Sequence, residues 1–168
     1  MEEIMKCVMC ENNKILKSRR ITIKYKECGL DNVTLIGLEG FKCSLCGEEY
    51  FSYGDQEKLH TLIAQALITK KSRLKADEIR FLRTYLGYSG SYFAKLTGYS
   101  KEAVSRFENN KTNPSLSFDR LVRSLVANKL PDRQYNLHDM WLSQKGPSMK
   151  RIEINSQKGK WHLANLAA

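Results

Sequence analysis

No stretch of this chain approaches the roughly 20 apolar residues that a membrane-spanning helix needs. Its first residues, MEEIMKCVMC, are acidic and cysteine-bearing, whereas a secretory signal peptide opens basic and turns apolar. Histidine is scarce: His60, His138 and His162 are widely scattered and lack the spacing of metal ligands. No nucleophile–base pairing is legible, no segment repeats, and none is of low complexity. These absences argue against a membrane protein, a secreted protein, a solenoid and an enzyme. The cysteines are expected to meet a reducing cytoplasm, where paired thiols are more often metal ligands than disulfides.

What is present is positive charge, unevenly placed. At 168 residues the chain has room for one medium domain or two small ones, and its charge favours two. Residues 1–66 hold 9 Lys/Arg against 10 Asp/Glu, residues 67–130 hold 13 against 5, and residues 131–168 hold 6 against 3. The middle segment therefore carries +8 of the total +10. A phosphate-binding surface concentrates charge in this way, whereas a merely basic protein spreads it.

Within that segment, residues 89–114 (SGSYFAKLTGYSKEAVSRFENNKTNP) read as two short helices joined by a tight turn. Ser89 or Ser91 can cap the first helix, because a hydroxyl accepts an amide proton that a helix start leaves unpaired. Tyr92, Phe93 and Leu96 are expected to give it an apolar side, with Ala94 small where a second helix crosses. Gly98 falls where the chain needs a left-handed residue. Ser100 caps the second helix, which buries Ala103, Val104 and Phe107 and turns Lys101, Glu102, Ser105 and Arg106 outward. Such a row suits the major groove of DNA. Arg106 has the planar fork that matches guanine, while Lys101 and Lys111 sit nearer the helix ends, where phosphates are met.

Cys7-Val8-Met9-Cys10 and Cys43-Ser44-Leu45-Cys46 form the second constellation. Two residues between cysteines let both sulfurs turn onto one ion, and two such pairs supply the four thiolates of a tetrahedral structural zinc site, one Zn2+ per chain. Four thiolates leave no open position for water or substrate. Gly47 eases the second turn; the first pair has Glu11 at the matching place. The 32 residues between the pairs exceed the usual spacing, so something folded lies between them. Ile21, Ile23 and Tyr25 alternate with polar residues as a half-buried strand does, and residues 33–38 return after a turn-like stretch. Residues 48–53 can add a short strand. Cys28, at the hairpin tip, is left as a free thiol.

Residues 55–71 carry Leu59, Leu62, Ile63, Ala66 and Leu67 at helical spacing, with Lys70 and Lys71 placed to complement the helix dipole. A basic linker, residues 70–75, leads to a helix over about 76–86. A last helix of the middle domain, 115–129, is expected to bury Leu116, Phe118, Leu121, Val122, Leu125 and Val126. Beyond Pro131, Leu137, Met140 and Trp141 can form a further helix. Residues 151–154 and 160–163 read as a hairpin, which is marginal alone in water and must dock on something. A dimer partner is the favoured surface, the chain's own domain the other.

Counting Gly90 as position one, a small residue stands at five, glycine at nine and a β-branched residue at fifteen. That spacing resembles the lambda-repressor-like, XRE-type helix-turn-helix. The resemblance implies that Arg83, in the preceding helix, pairs with Glu108 at the end of the recognition helix. A CxxC…CxxCGEEY module followed by such a unit is similar to the MqsA, or YgiT-type, antitoxins of bacterial type II toxin–antitoxin pairs, over roughly residues 5–130. The resemblance implies structural zinc on Cys7, Cys10, Cys43 and Cys46, a protein toxin as partner of the N-terminal module, and a homodimer that represses its own operon at a palindromic, double-stranded operator. Arg106 falls on that family's base-reading arginine. Its base-reading asparagine falls on Glu102, which accepts hydrogen bonds without donating and so favours cytosine's amino group. The operator sequence is therefore not inherited.

The expected architecture is α+β in three parts. Residues 1–70 form a zinc-bound β-hairpin module with a trailing helix, residues 71–130 an all-α helix-turn-helix domain, and residues 131–168 a helix and short hairpin. The competing reading is a stand-alone zinc-containing helix-turn-helix regulator with no toxin partner.

Overall fold

In the computed structural model, which describes residues 7–10, 17–130, 146–157 and 159–167, one strand organises the sheet. That strand, β2 (Val33–Lys42), pairs antiparallel with β1 (Lys17–Lys24), bringing Ile21 opposite Leu38 and Ile23 opposite Leu35. The turn between them contains Gly29, left-handed at φ 78°. A three-residue strand, β3 (Glu49–Phe51), pairs with the last residues of β2, Phe41 opposite Tyr50.

The first residues of β2 take a different neighbour. β4 (Arg151–Gln157) lies parallel to β2, Val33 opposite Ile152 and Leu35 opposite Ile154, and β5 (Lys160–Ala167) returns antiparallel to β4. β3 and β4 thus occupy the same edge of β2 at its two ends. Gly37 divides them with φ 72°, and a Cβ there would sit 3.2 Å from the Ser156 carbonyl. The C-terminal hairpin therefore docks on its own chain, not on a dimer partner as favoured above. The reason is apolar: Ile152 and Ile154 are fully buried and Trp161 is 4% exposed, its indole N–H donating to the Tyr53 carbonyl at 3.0 Å. A parallel neighbour needs a long crossover, which the helices supply. The helix expected around Leu137, Met140 and Trp141 lies outside the described residues, as does His138.

Five helices fill that crossover among the described residues: α1 (Gln56–Thr69), α2 (Ala76–Tyr85), α3 (Gly90–Thr97), α4 (Lys101–Glu108) and α5 (Leu116–Lys129). Asp55 caps α1 by accepting from the Lys58 amide at 2.8 Å. The helix buries seven residues, Ala64 and Ile68 besides the expected stripe, because it is covered by both the sheet and the other helices. One apolar core runs from Leu35 in the sheet through Leu67 to Leu82, Phe93 and Phe118. Each fully buried side chain of this kind contributes about 1.5–3 kcal/mol relative to exposure. Phe118 ties the small helices together, its ring centroid 4.9 Å from Phe107, 5.0 Å from Tyr99 and 6.0 Å from Phe93.

The stretch expected as a basic linker is not free. Lys70, Ser72 and Leu74 are buried, and the Lys70 ammonium pairs with buried Glu78 rather than standing at the end of α1. Arg123, wholly buried on α5, donates to the carbonyls of Ile68 and Ser72 at 2.7 Å and of Lys70 at 3.0 Å. It also donates to Asp119 at 2.7 Å, whose other oxygen accepts the Leu74 amide at 2.7 Å. This buried pair supplies partners for carbonyls that the end of α1 leaves open. On α5, Leu121 and Leu125 are half-buried and Leu116 is exposed, because Asp119 and Arg123 take places on the inward face.

Candidate metal centre and nucleic-acid interface

Residues 7–10 and the turn after β2 bring four cysteines together. The sulfurs of Cys7, Cys10, Cys43 and Cys46 all lie within 4.8 Å of one another. Cys7 Sγ is 3.5 Å from Cys46 Sγ, and Cys10 Sγ is 3.7 Å from Cys43 Sγ. A disulfide would need about 2.05 Å, whereas four sulfurs tetrahedrally placed at about 2.3 Å from one ion stand about 3.8 Å apart. The residues fit a metal ion such as zinc. Cys7 and Cys43 are buried, Cys46 is exposed, and the group packs with Phe41 and Tyr50 as a cluster separate from the main core.

The second turn is built as its glycine requires. Gly47 is left-handed at φ 77°, its amide donates to the Cys43 carbonyl at 3.0 Å, and the Cys43 amide donates to the Glu48 carbonyl at 2.8 Å. Backbone amides of Cys46 and Leu45 aimed at Cys43 hold its thiol below the usual cysteine range. The Tyr50 hydroxyl does most to lower Cys7, to about 6. Both effects favour the thiolate form that binds metal, whereas desolvation and the neighbouring sulfurs of Cys7, Cys43 and Cys10 push Cys46 up to about 12. Cys28 is not among the four; half-buried, it donates to the Tyr25 carbonyl at 3.3 Å, and burial pushes its thiol up.

The second region is α3, α4 and their connection. Ser89 accepts the Tyr92 amide at 3.2 Å and Ser100 accepts the Ala103 amide at 3.1 Å, so both hydroxyls cap helices; Ser91 is exposed on the first turn of α3. Gly98 ends α3 at φ 75°. The buried face of α3 is Phe93, Ala94 and Thr97. Tyr92 and Leu96, expected inside, are 53% and 42% exposed: four residues apart, they share a stripe rotated outward from Phe93. On α4, Val104 and Phe107 are buried and Ala103 half-buried, while Lys101, Glu102, Ser105 and Arg106 are all exposed. Asn109 Nδ2 donates to Ser105 Oγ at 3.3 Å. Asn110, left-handed at φ 56°, turns the chain after α4 and leaves Lys111 exposed, its amide donating to the Arg106 carbonyl at 2.9 Å.

Arg83 and Glu108 join α2 to the end of α4 through two parallel bonds of 2.6 and 3.0 Å. The Asp119–Arg123 pair and Tyr50 were not legible as site residues. Both left a faint trace: charges four apart on one helix, and a tyrosine four residues past the last cysteine.

Fold and site together define a class: a mixed α/β protein with five helices and one sheet among the described residues, carrying a four-cysteine cluster that could bind a metal ion such as zinc. No described helix is long and apolar enough to cross a membrane. Over residues 5–136 the chain matches the family described as the antitoxin component of the bacterial toxin–antitoxin system, MqsA, and it belongs to that family. Membership points to an antitoxin role, in a family of regulators rather than enzymes. Among curated proteins, none matches the chain. The β4–β5 hairpin lies beyond the residues that the family covers.

Proposed function

We propose that this chain is the antitoxin of a type II toxin–antitoxin pair, and that it also represses its own operon by binding double-stranded operator DNA as a homodimer. The observation that carries the DNA reading is the face of α4, where Lys101, Glu102, Ser105 and Arg106 stand exposed together while Val104 and Phe107 are held in the core. Residues 67–130, which contain that face, carry a net charge of +8. Arg106 reads guanine and Glu102 restricts a neighbouring position. Lys101, Lys111 and the helix starts at Ser89, Ser91 and Ser100 meet phosphates.

One zinc ion on Cys7, Cys10, Cys43 and Cys46 fixes the turns beside β3, and four thiolates close its coordination, which makes it structural. Residues 1–70 face the toxin and residues 71–130 the operator. The test is to look beside this gene for one that encodes a small basic protein, to purify the chain with that product, and to titrate both onto the upstream duplex. Co-purification with relief of that gene's toxicity supports the antitoxin reading. Tight, sequence-selective DNA binding without any such partner leaves the stand-alone regulator instead.

A further inference from the structure

The two cysteine turns are not built alike. The second has Gly47 in the left-handed conformation; the first has Glu11 at the corresponding place in the sequence. The first turn is tied down from outside, by a residue of β3. Tyr50 Oη lies 3.1 Å from Cys7 Sγ and 3.1 Å from the Val8 backbone nitrogen. The direction of each bond follows from the inventory of hydrogens. The Val8 amide can only donate, so the hydroxyl accepts from it. Against a Cys7 thiolate, the form that binds a metal and can only accept, the one hydroxyl proton is then aimed at the sulfur.

We infer that Tyr50 is a positioning residue of the metal centre: it is no ligand, but it orients Cys7 and stabilises its sulfur as an acceptor, taking the part in the first turn that glycine geometry takes in the second. Tyr50 suits this task because β3 pairs it with Phe41 on β2, two residues before Cys43. Its ring therefore rests on the strand that leads into the second cysteine pair, while its hydroxyl reaches the first. One side chain joins both halves of the site across a separation of 43 residues.

Outer partners of metal ligands typically change affinity by about 10–100-fold. Tyr50→Phe keeps the ring and removes only the hydroxyl, so zinc affinity, read by competition against a chromophoric chelator on the full chain, is expected to fall by that factor. Phe41→Leu trims a ring beside the same cysteines without touching a hydrogen bond, and is expected to stay within about threefold of native. Cobalt(II) loading adds a reading of the sulfurs themselves, since the thiolate-to-cobalt bands should shift in Tyr50→Phe and not in Phe41→Leu. Native affinity in Tyr50→Phe, or equal losses in both variants, would overturn the assignment in favour of packing alone. The inference rests on the four cysteines being a metal site, and a native chain that takes up neither ion ends that reading separately.

Discussion

Arg83 and Glu108 meet fork against fork, Nε to Oε1 at 2.6 Å and Nη2 to Oε2 at 3.0 Å, with the side chains 17% and 8% exposed. The remaining arginine nitrogen donates to the Tyr88 carbonyl at 2.8 Å, so one guanidinium holds α2, the loop before α3 and the end of α4. Glu108 raises the arginine's pKa further above its already high value. Replacing either partner by alanine is expected to cost about 3 kcal/mol, because the other charge is left largely buried. Arg83→Lys should not rescue, since lysine lacks the planar fork. Urea unfolding of the two single variants and the double variant checks this. Single changes within about 0.5 kcal/mol of native would mean that the pair is merely superficial.

Arg123→Leu is expected to be the more damaging change, at about 3–5 kcal/mol, because it strands the Asp119 carboxylate and several carbonyls at the end of α1. The loss should appear in calorimetry as separated transitions for the sheet and the helices. A single, barely shifted transition would contradict it.

Metal removal should act locally. The cysteines pack with Phe41 and Tyr50 apart from the main core, whereas Ile21, Leu35 and Leu38 belong to that core. Structural zinc contributes on the order of 10 kcal/mol of apparent folding free energy where a fold depends on it. Chelation is expected to erase amide protection over residues 41–51 and to leave β1, the start of β2 and the helices protected. Hydrogen exchange of the stripped protein decides; collapse of protection through α2–α5 would be the contrary result.

Arg106→Ala is expected to cost about 1–3 kcal/mol on the operator and far less on random DNA. Lys111→Ala should weaken both duplexes alike and reduce the salt slope by about one. The operator itself should be a palindrome with half-sites about one helical turn apart. Equal weakening of operator and random duplex by Arg106→Ala would remove α4 from the groove.

Acid should loosen the joint between sheet and helices at His60, which lies 2.9 Å from the Tyr25 hydroxyl and edge-on to Phe81. Burial lowers its pKa from the ordinary value near 6.5. Below about pH 6.5 the unfolded chain takes up a proton that the folded chain resists, so His60 favours folding fully above that pH and progressively less below it. Native protein should therefore lose more of its urea midpoint between about pH 7 and pH 5.5 than His60→Gln does. Parallel losses would exclude this histidine.

What the sequence made legible was local. Gly98 between two serine caps, paired cysteines two residues apart, and alternation at Ile21–Tyr25 each express a constraint satisfied within a few residues. Asp119 and Arg123 escaped because charges on a helix ordinarily mark its solvated face, and only α1 packed across α5 turns them inward. The docking of β4 escaped because a strand's alternation says which face is buried, not which strand lies beside it. Tyr92 and Leu96 show the same limit: on an eight-residue helix, apolar residues can be assigned to the wrong stripe.

The parallel pairing of β4 with β2 has a kinetic consequence. Arg151 and Thr34 are 117 positions apart, yet they share a hydrogen bond in the finished sheet. Pairings of such sequence separation form slowly, after local helices and turns. During synthesis, β2 must wait through the making of all five described helices for the strand that completes its edge, with Leu35 and its neighbours only partly covered. A chain ending before residue 149 would lack Met149, Ile152, Ile154 and Trp161 from the core. Such a chain would present an open strand edge to proteases, the edge that β4 closes in the complete sheet.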